Sequence, residues 1–155
     1  MDVTMDYLGH KRTYQVNEQA VTDFTNAFAA IKASGVNYDI TRDTGGNTFS
    51  WRANKNNPSV LSAHSWGTAI DVNPDKNPNC PSACFDGNAS TACNCIGSNS
   101  CQSICESRHG DLPQEVISAF LNNGFDWLGD RQSSKRPNVM QDYMHFTWSR
   151  ICPGG

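Results

Sequence analysis

Ser62-Ala63-His64-Ser65-Trp66-Gly67-Thr68-Ala69-Ile70-Asp71 is the stretch on which the reading of this chain turns. It sets an imidazole and a carboxylate seven residues apart, joined through a glycine that lets the backbone turn sharply and approach a ligand closely. Residues 68–72 alternate as a strand does, with Ile70 facing one side and Ala69 and Asp71 the other. Asn73-Pro74 and Asn77-Pro78 end that strand abruptly. The partner segment is Asp142-Tyr143-Met144-His145, near the end of the chain. On an extended 143–147, His145 points one way while Met144 and Phe146 point into the core. The two segments together supply two imidazoles and two carboxylates. Catalytic zinc sites use three protein ligands and leave the fourth position for water, and a spare carboxylate can take that water's proton.

Outward from this pair, residues 17–33 read as an amphipathic helix. Val21, Phe24, Phe28 and Ile31 recur at helical spacing and Gly35 is a natural stop. Residues 38–41 predict a short strand, 43–47 a turn with two glycines, 49–52 a second extended piece and 53–59 a polar loop. A second helix is expected from near Asp111 as N-cap, with Gln114 three residues on. Its apolar face is Val116, Ile117, Phe120 and Leu121, and Gly124 closes it. Residues 125–128 and 143–148 read as further strands. Helices and strands mix without a βαβ repeat, which predicts an α+β fold: a small antiparallel sheet flanked by helices. The 155 residues suit one domain, 1–155, with a cysteine-rich insertion at about 79–110.

Six cysteines, Cys80, Cys84, Cys93, Cys95, Cys101 and Cys105, crowd into that insertion, and Cys152 stands apart. The segment is otherwise mostly Ser, Asn, Gly, Ala and Pro, so it must be held by covalent or metal links or remain mobile. Two Cys-x3-Cys pairs suit two short helices bridged as Cys80–Cys105 and Cys84–Cys101, leaving one thiol too many among Cys93, Cys95 and Cys152. Six cysteines allow 15 connectivities. A second metal site with His109, or free thiols, are the other readings. Disulfides would place the protein outside the reducing cytosol, as a secreted or extracellular mature form, since the first sixteen residues lack the apolar run of a signal peptide.

A net charge of -3 without a Lys/Arg cluster argues against nucleic acid. No apolar run approaches the ~18 residues of a membrane span, and a monomer is expected. At the site, Asp142 precedes His145 by three residues, close enough to reach a water activated by the metal without ligating it. Arg52, twelve residues before His64, could place a cation where the carbonyl oxygen of a cleaved amide becomes negative. Each residue also has an ordinary reading when taken alone. His10 and His109 suit packed or surface roles, Asp71 a turn cap, Asp142 a solvated loop and Arg52 a surface cation.

Taken in order, Ser62-x-His64-x-x-Gly67-x-Ala69-x-Asp71 followed by Asp142-x-x-His145 resembles the zinc D-alanyl-D-alanine carboxypeptidase and L-alanyl-D-glutamate endopeptidase family. Its members include the D,D-peptidases of vancomycin resistance and several phage endolysins. The N-terminal helix, Arg52, the Leu61-Ser62 lead-in and Asp71-Val-Asn-Pro fit the same pattern, which covers the chain apart from roughly 79–110. The resemblance implies one Zn2+ per chain on His64, Asp71 and His145. It also implies Asp142 as general base, then as the acid that protonates the leaving amine. Arg52 would polarise the scissile carbonyl or hold a substrate carboxylate. Ser62 is expected near the metal as a hydrogen-bonding group, and Trp66 and Trp148 either line the substrate groove or pack in the core. The implied reaction is hydrolysis of amide bonds in bacterial peptidoglycan stem peptides. Asp142 stands where many carboxypeptidase members carry Glu, which leans towards the endolysin-like endopeptidases. A hedgehog-like zinc domain that only binds partners is the alternative, and the presence of Asp142 and Arg52 counts against it.

Overall fold

The chain opens with a β-hairpin, β1 (Asp2–Tyr7) and β2 (His10–Gln15), paired antiparallel from Asp2↔Gln15 to Tyr7↔His10. Its two-residue loop, Leu8-Gly9, has φ of 52° and 76°, the left-handed pair that suits the twist of a hairpin. Val3 and Met5 are buried while Asp2, Thr4 and Asp6 face water, so one face packs on the core and the other is solvated. No strand was expected in these first sixteen residues, which lack an apolar run. Their charged and hydroxyl side chains occupy the exposed face and hide a period of two.

The computed structural model describes residues 1–41, 48–54, 57–77, 111–129 and 142–150. All seven cysteines, the pairings expected for them, His109 and the turn at 43–47 lie outside these residues. So do residues 55–56 of the expected polar loop.

Helix α1 (Val21–Ser34) follows a 3-10 turn, Glu18–Ala20, in which the Asn17 side chain accepts from Gln19 N–H. It therefore begins a turn later than the periodicity suggested, and it ends at Gly35, which has a left-handed φ of 70°. Phe24, Ala27, Phe28 and Ile31 form its buried stripe. Helix α2 (Gln114–Leu121) starts at Pro113 rather than at Asp111. The Asp111 carboxylate instead accepts the Tyr38 hydroxyl, while its backbone N–H donates to Asn77 Oδ1 at 2.9 Å. Leu121, expected on the apolar face, is 37% exposed, and Ala119 is buried in its stead.

A second sheet contains β3 (Ala69–Asp71), β4 (Phe125–Trp127) and β5 (His145–Trp148) in the order β3-β5-β4, antiparallel throughout. Two small antiparallel sheets and two helices make the fold α+β, with one sheet more than expected. Phe146 stacks on Phe120 at 4.5 Å, and Phe24 meets Phe125 edge-on at 4.7 Å, joining the sheet to both helices. Such aromatic pairs contribute about 0.5–1.5 kcal/mol each beyond the area they bury.

Residues 38–41 are not a strand. Asn73 clamps them instead: its side chain donates to Asp39 O at 2.8 Å and accepts from Thr41 N–H at 2.7 Å. Asn73 is fully buried with φ of 45°, a left-handed position that Asn tolerates better than most residues. A side chain thus satisfies the backbone groups that a sheet ladder would have used. Residues 49–52 form no strand either, though Ala53 and Leu61 make an isolated antiparallel bridge. No helix among the described residues is long and apolar enough to cross a membrane.

Candidate metal and catalytic site

Antiparallel register makes the first contact of the site. Asp71, the last residue of β3, lies directly opposite His145, the first of β5, and Ile70 lies opposite Phe146. Cross-strand partners project on the same face within about 5 Å, so Ile70 and Phe146 enter the core while Asp71 and His145 meet on the other side. His145 Nδ1 is 2.8 Å from Asp71 Oδ1. Met144, expected in the core, is half-buried, and Tyr143 is the buried residue. Both precede the strand in a tight turn, where alternation does not hold.

His64 arrives from a 3-10 turn, Ala63–Trp66, immediately before β3. Ser62 caps this turn by accepting the His64 N–H at 3.4 Å. Gly67 ends it at φ of 63°, and a Cβ there would lie 2.8 Å from Asn17 N. The close approach docks the turn onto the start of α1, where Asn17 N–H donates to Gly67 O at 2.8 Å. His64 is almost fully buried, with Nε2 3.2 Å from Asp71 Oδ2 and 3.2 Å from His145 Nδ1. Among the described residues these three form a group whose donor atoms all lie within 4.8 Å of one another.

The outer nitrogens fix which atoms face the centre. His64 Nδ1 is 3.0 Å from Thr48 O, and a carbonyl only accepts, so Nδ1 carries a proton and Nε2 faces the centre. His145 Nε2 is 2.7 Å from Thr147 Oγ1, a hydroxyl able to donate or accept, and Nδ1 faces the centre, donating to the Asp71 carboxylate at 2.8 Å a proton that a bound metal would displace. Neither Thr48 nor Thr147 was singled out in the sequence, because contacts of this kind leave no periodic signal.

Burial alone would raise the Asp71 pKa, but hydrogen bonds with His145 and His64 outweigh it and hold the carboxyl well below the usual carboxylate range. For His145 burial favours the neutral ring. The Asp71 hydrogen bond and charge, with the charge of Asp142, overcome this and raise its pKa, and Arg52 opposes them. The charges of Asp142 and Arg52 thus both reach the His145 ring. Asp142 is fixed by its backbone: its N–H donates to Leu128 O at 3.2 Å and its carbonyl accepts from His145 N–H at 3.1 Å. Arg52 Nη2 is 3.6 Å from Asp71 Oδ2, at the exposed rim.

Ser65 is a further residue that the sequence reading did not identify. Its buried hydroxyl accepts the Arg52 N–H at 2.9 Å and donates to Arg52 O at 2.8 Å, tying the arginine's backbone to the His64 turn. Trp66 is exposed beside Trp51. Trp148 is not brought to the cluster. It lies on the opposite strand face from His145, packed on the core, with its indole N–H donating to Asp23 Oδ2 at 2.8 Å. His10 is an exposed residue 3.8 Å from Asp39.

A family model described as D-alanyl-D-alanine carboxypeptidase matches residues 55–148, well over half of the chain. That span contains His64, Asp71, Asp142 and His145. Neither the curated proteins nor the solved structures give a match. The match and the converging donors lead to one conclusion: the chain belongs to the D-alanyl-D-alanine carboxypeptidase family of peptidases.

Proposed function

We propose that the protein is a zinc metallopeptidase that hydrolyses amide bonds in peptidoglycan stem peptides, with the whole chain acting as one exported domain. The observation that carries this reading is the convergence of His64 Nε2, Asp71 and His145 Nδ1. Two imidazole nitrogens and a carboxylate oxygen are a donor set that suits zinc. A tetrahedral zinc with bonds of ~2.0–2.1 Å separates its ligands by roughly 3.3 Å, close to the spacings of 2.8 and 3.2 Å seen here. The residues fit the ion.

Bound there, zinc would act as a Lewis acid on the scissile carbonyl and lower the pKa of water. The rest falls to the chain's own groups. Asp142, in the turn before His145, takes the proton of the attacking water and returns it to the leaving amine. Arg52 at the rim offers a fixed cation to the oxygen that becomes negative. Ser62 holds the His64 turn through its cap, so its part is positioning.

The test is digestion of purified peptidoglycan with and without chelator, identifying new termini by mass spectrometry. Released D-Ala indicates a D,D-carboxypeptidase, and separated L-Ala and D-Glu termini an endopeptidase. Asp142→Ala should retain zinc while hydrolysis falls by about 10²–10⁴-fold. No chelator-sensitive product from the zinc-loaded protein would reject the peptidase reading in favour of a binding domain.

A further inference from the structure

Trp51 and Trp66 are 68% and 56% exposed, and their rings meet edge to face with centroids 6.2 Å apart. Adjacent exposed indoles on a monomer's surface mark a contact site more often than an accident of packing. The backbone that carries them is fixed. Asn17 Nδ2 donates to Trp66 O at 3.1 Å, Ser50 N–H donates to His64 O at 3.1 Å, and the Ser65 hydroxyl is bonded to both backbone groups of Arg52. Aromatic groups on so constrained a support form a surface that costs little ordering when it binds. Both indoles are carried by segments that also carry site residues. Trp66 shares the 3-10 turn of His64, and Trp51 immediately precedes Arg52.

We propose that Trp51 and Trp66 form a saccharide subsite beside the peptidase centre, taking N-acetylated sugar rings of the glycan strand that bears the stem peptide. This rests on the proposed function above. A pyranose ring presents a face of C–H groups that packs on an indole, while its hydroxyl and amide rim stays hydrated. Two indoles inclined at 71° make a corner with a flat wall for such a ring. Size separates this occupant from a protein. A tryptophan offers at most about 250 Å², and with a third to nearly half of each covered the pair presents roughly 300 Å². A stable protein interface needs about 800 Å² per partner. The neighbouring cation, Arg52, is turned to Asp71, which leaves the corner suited to a neutral ligand. The enzyme would thus read the polymer as well as the peptide.

The experiment compares the zinc-loaded parent with the Trp51→Ala/Trp66→Ala double variant on intact sacculi and on a sugar-free stem peptide. In parallel, tryptophan fluorescence is followed while each protein is titrated with the tetramer of β-1,4-linked N-acetylglucosamine. The loss on sacculi should exceed the loss on free peptide by at least tenfold. The tetramer should shift the parent's emission and leave the double variant's unchanged, and Trp51→Tyr/Trp66→Tyr should recover most of the sacculus activity. Equal losses on both substrates would overturn the proposal and assign the pair to the peptide. Full activity of the double variant on both substrates, with no response of the parent to the tetramer, would overturn it in favour of a protein partner. If the parent cuts neither substrate, the peptidase reading fails, and the titration still decides saccharide binding by itself.

Discussion

The two sheets divide the work of this molecule unequally. The hairpin has six-residue strands, complete pairing and a turn suited to its twist, yet it contributes none of the site residues. The second sheet has strands of three and four residues, and its β3–β5 pair carries Asp71 and His145 opposite one another. Length of ladder is therefore not what fixes the chemistry. Register fixes it, because Ile70 and Phe146 are locked into the core and a slip of one residue would exchange the core face for the ligand face. The hairpin seals the core against α1, and the short sheet converts the same burial into placement of donor atoms.

The largest effect should come from removing a proposed zinc ligand. Asp71→Ala or His145→Ala should leave a folded protein that no longer retains stoichiometric zinc on dialysis, measured by metal analysis. In the hairpin, Thr4→Val, at the exposed Thr4–Thr13 hydroxyl pair, should leave zinc content unchanged.

Core truncation sharpens the contrast. Phe146→Ala should cost about 3–5 kcal/mol and Met5→Ala about 2–5 kcal/mol in denaturant unfolding. Beyond its effect on stability, only Phe146→Ala should weaken zinc binding in the folded protein, since it loosens the strand that holds His145. Equal zinc affinity in the two variants would show that register does not depend on this core contact.

A smaller effect is expected at Thr147. Removing its hydroxyl in Thr147→Val takes away the partner of His145 Nε2, and zinc affinity should fall by about 10–100-fold in competition with a chromophoric chelator. Thr147→Ser should restore it.

The smallest effect lies away from both sheets. Burial and the hydrogen bond to Asp111 raise the Tyr38 pKa above its ordinary value of 10.0. The stability this confers is complete below about pH 10 and is lost as the pH rises towards the folded-state value. Tyr38→Phe should be less stable than the parent by about 1 kcal/mol at neutral pH. The gap between them in thermal melts should narrow above pH 10.

Helix α1 was legible because four apolar residues recur at its period and a glycine ends it. Strands β3 and β5 were legible because each is a short alternating run next to a residue with obvious chemistry. The hairpin was missed although Val3, Met5 and Tyr7 alternate before Leu8-Gly9, since no second apolar alternation answers them in β2. Ser65, Asn73 and Asn77 bond backbone groups remote in sequence, and Thr48 meets the His64 ring through its own carbonyl; such bonds follow no local pattern. For Trp148 groove lining and core packing were both open, and strand alternation turned it to the core.

The sequence by itself pointed to the α+β class through local patterning and spacing, and to His64, Asp71, His145, Asp142 and Arg52 through the family resemblance of its motifs. The tertiary structure alone decided which nitrogen of each histidine faces the centre and that Asp71 stands across from His145. It alone set Trp51 beside Trp66, next to the candidate centre. These are relations between segments far apart in the chain. They are fixed only when burial of Ile70, Phe146 and their neighbours sets one strand against another in a single register.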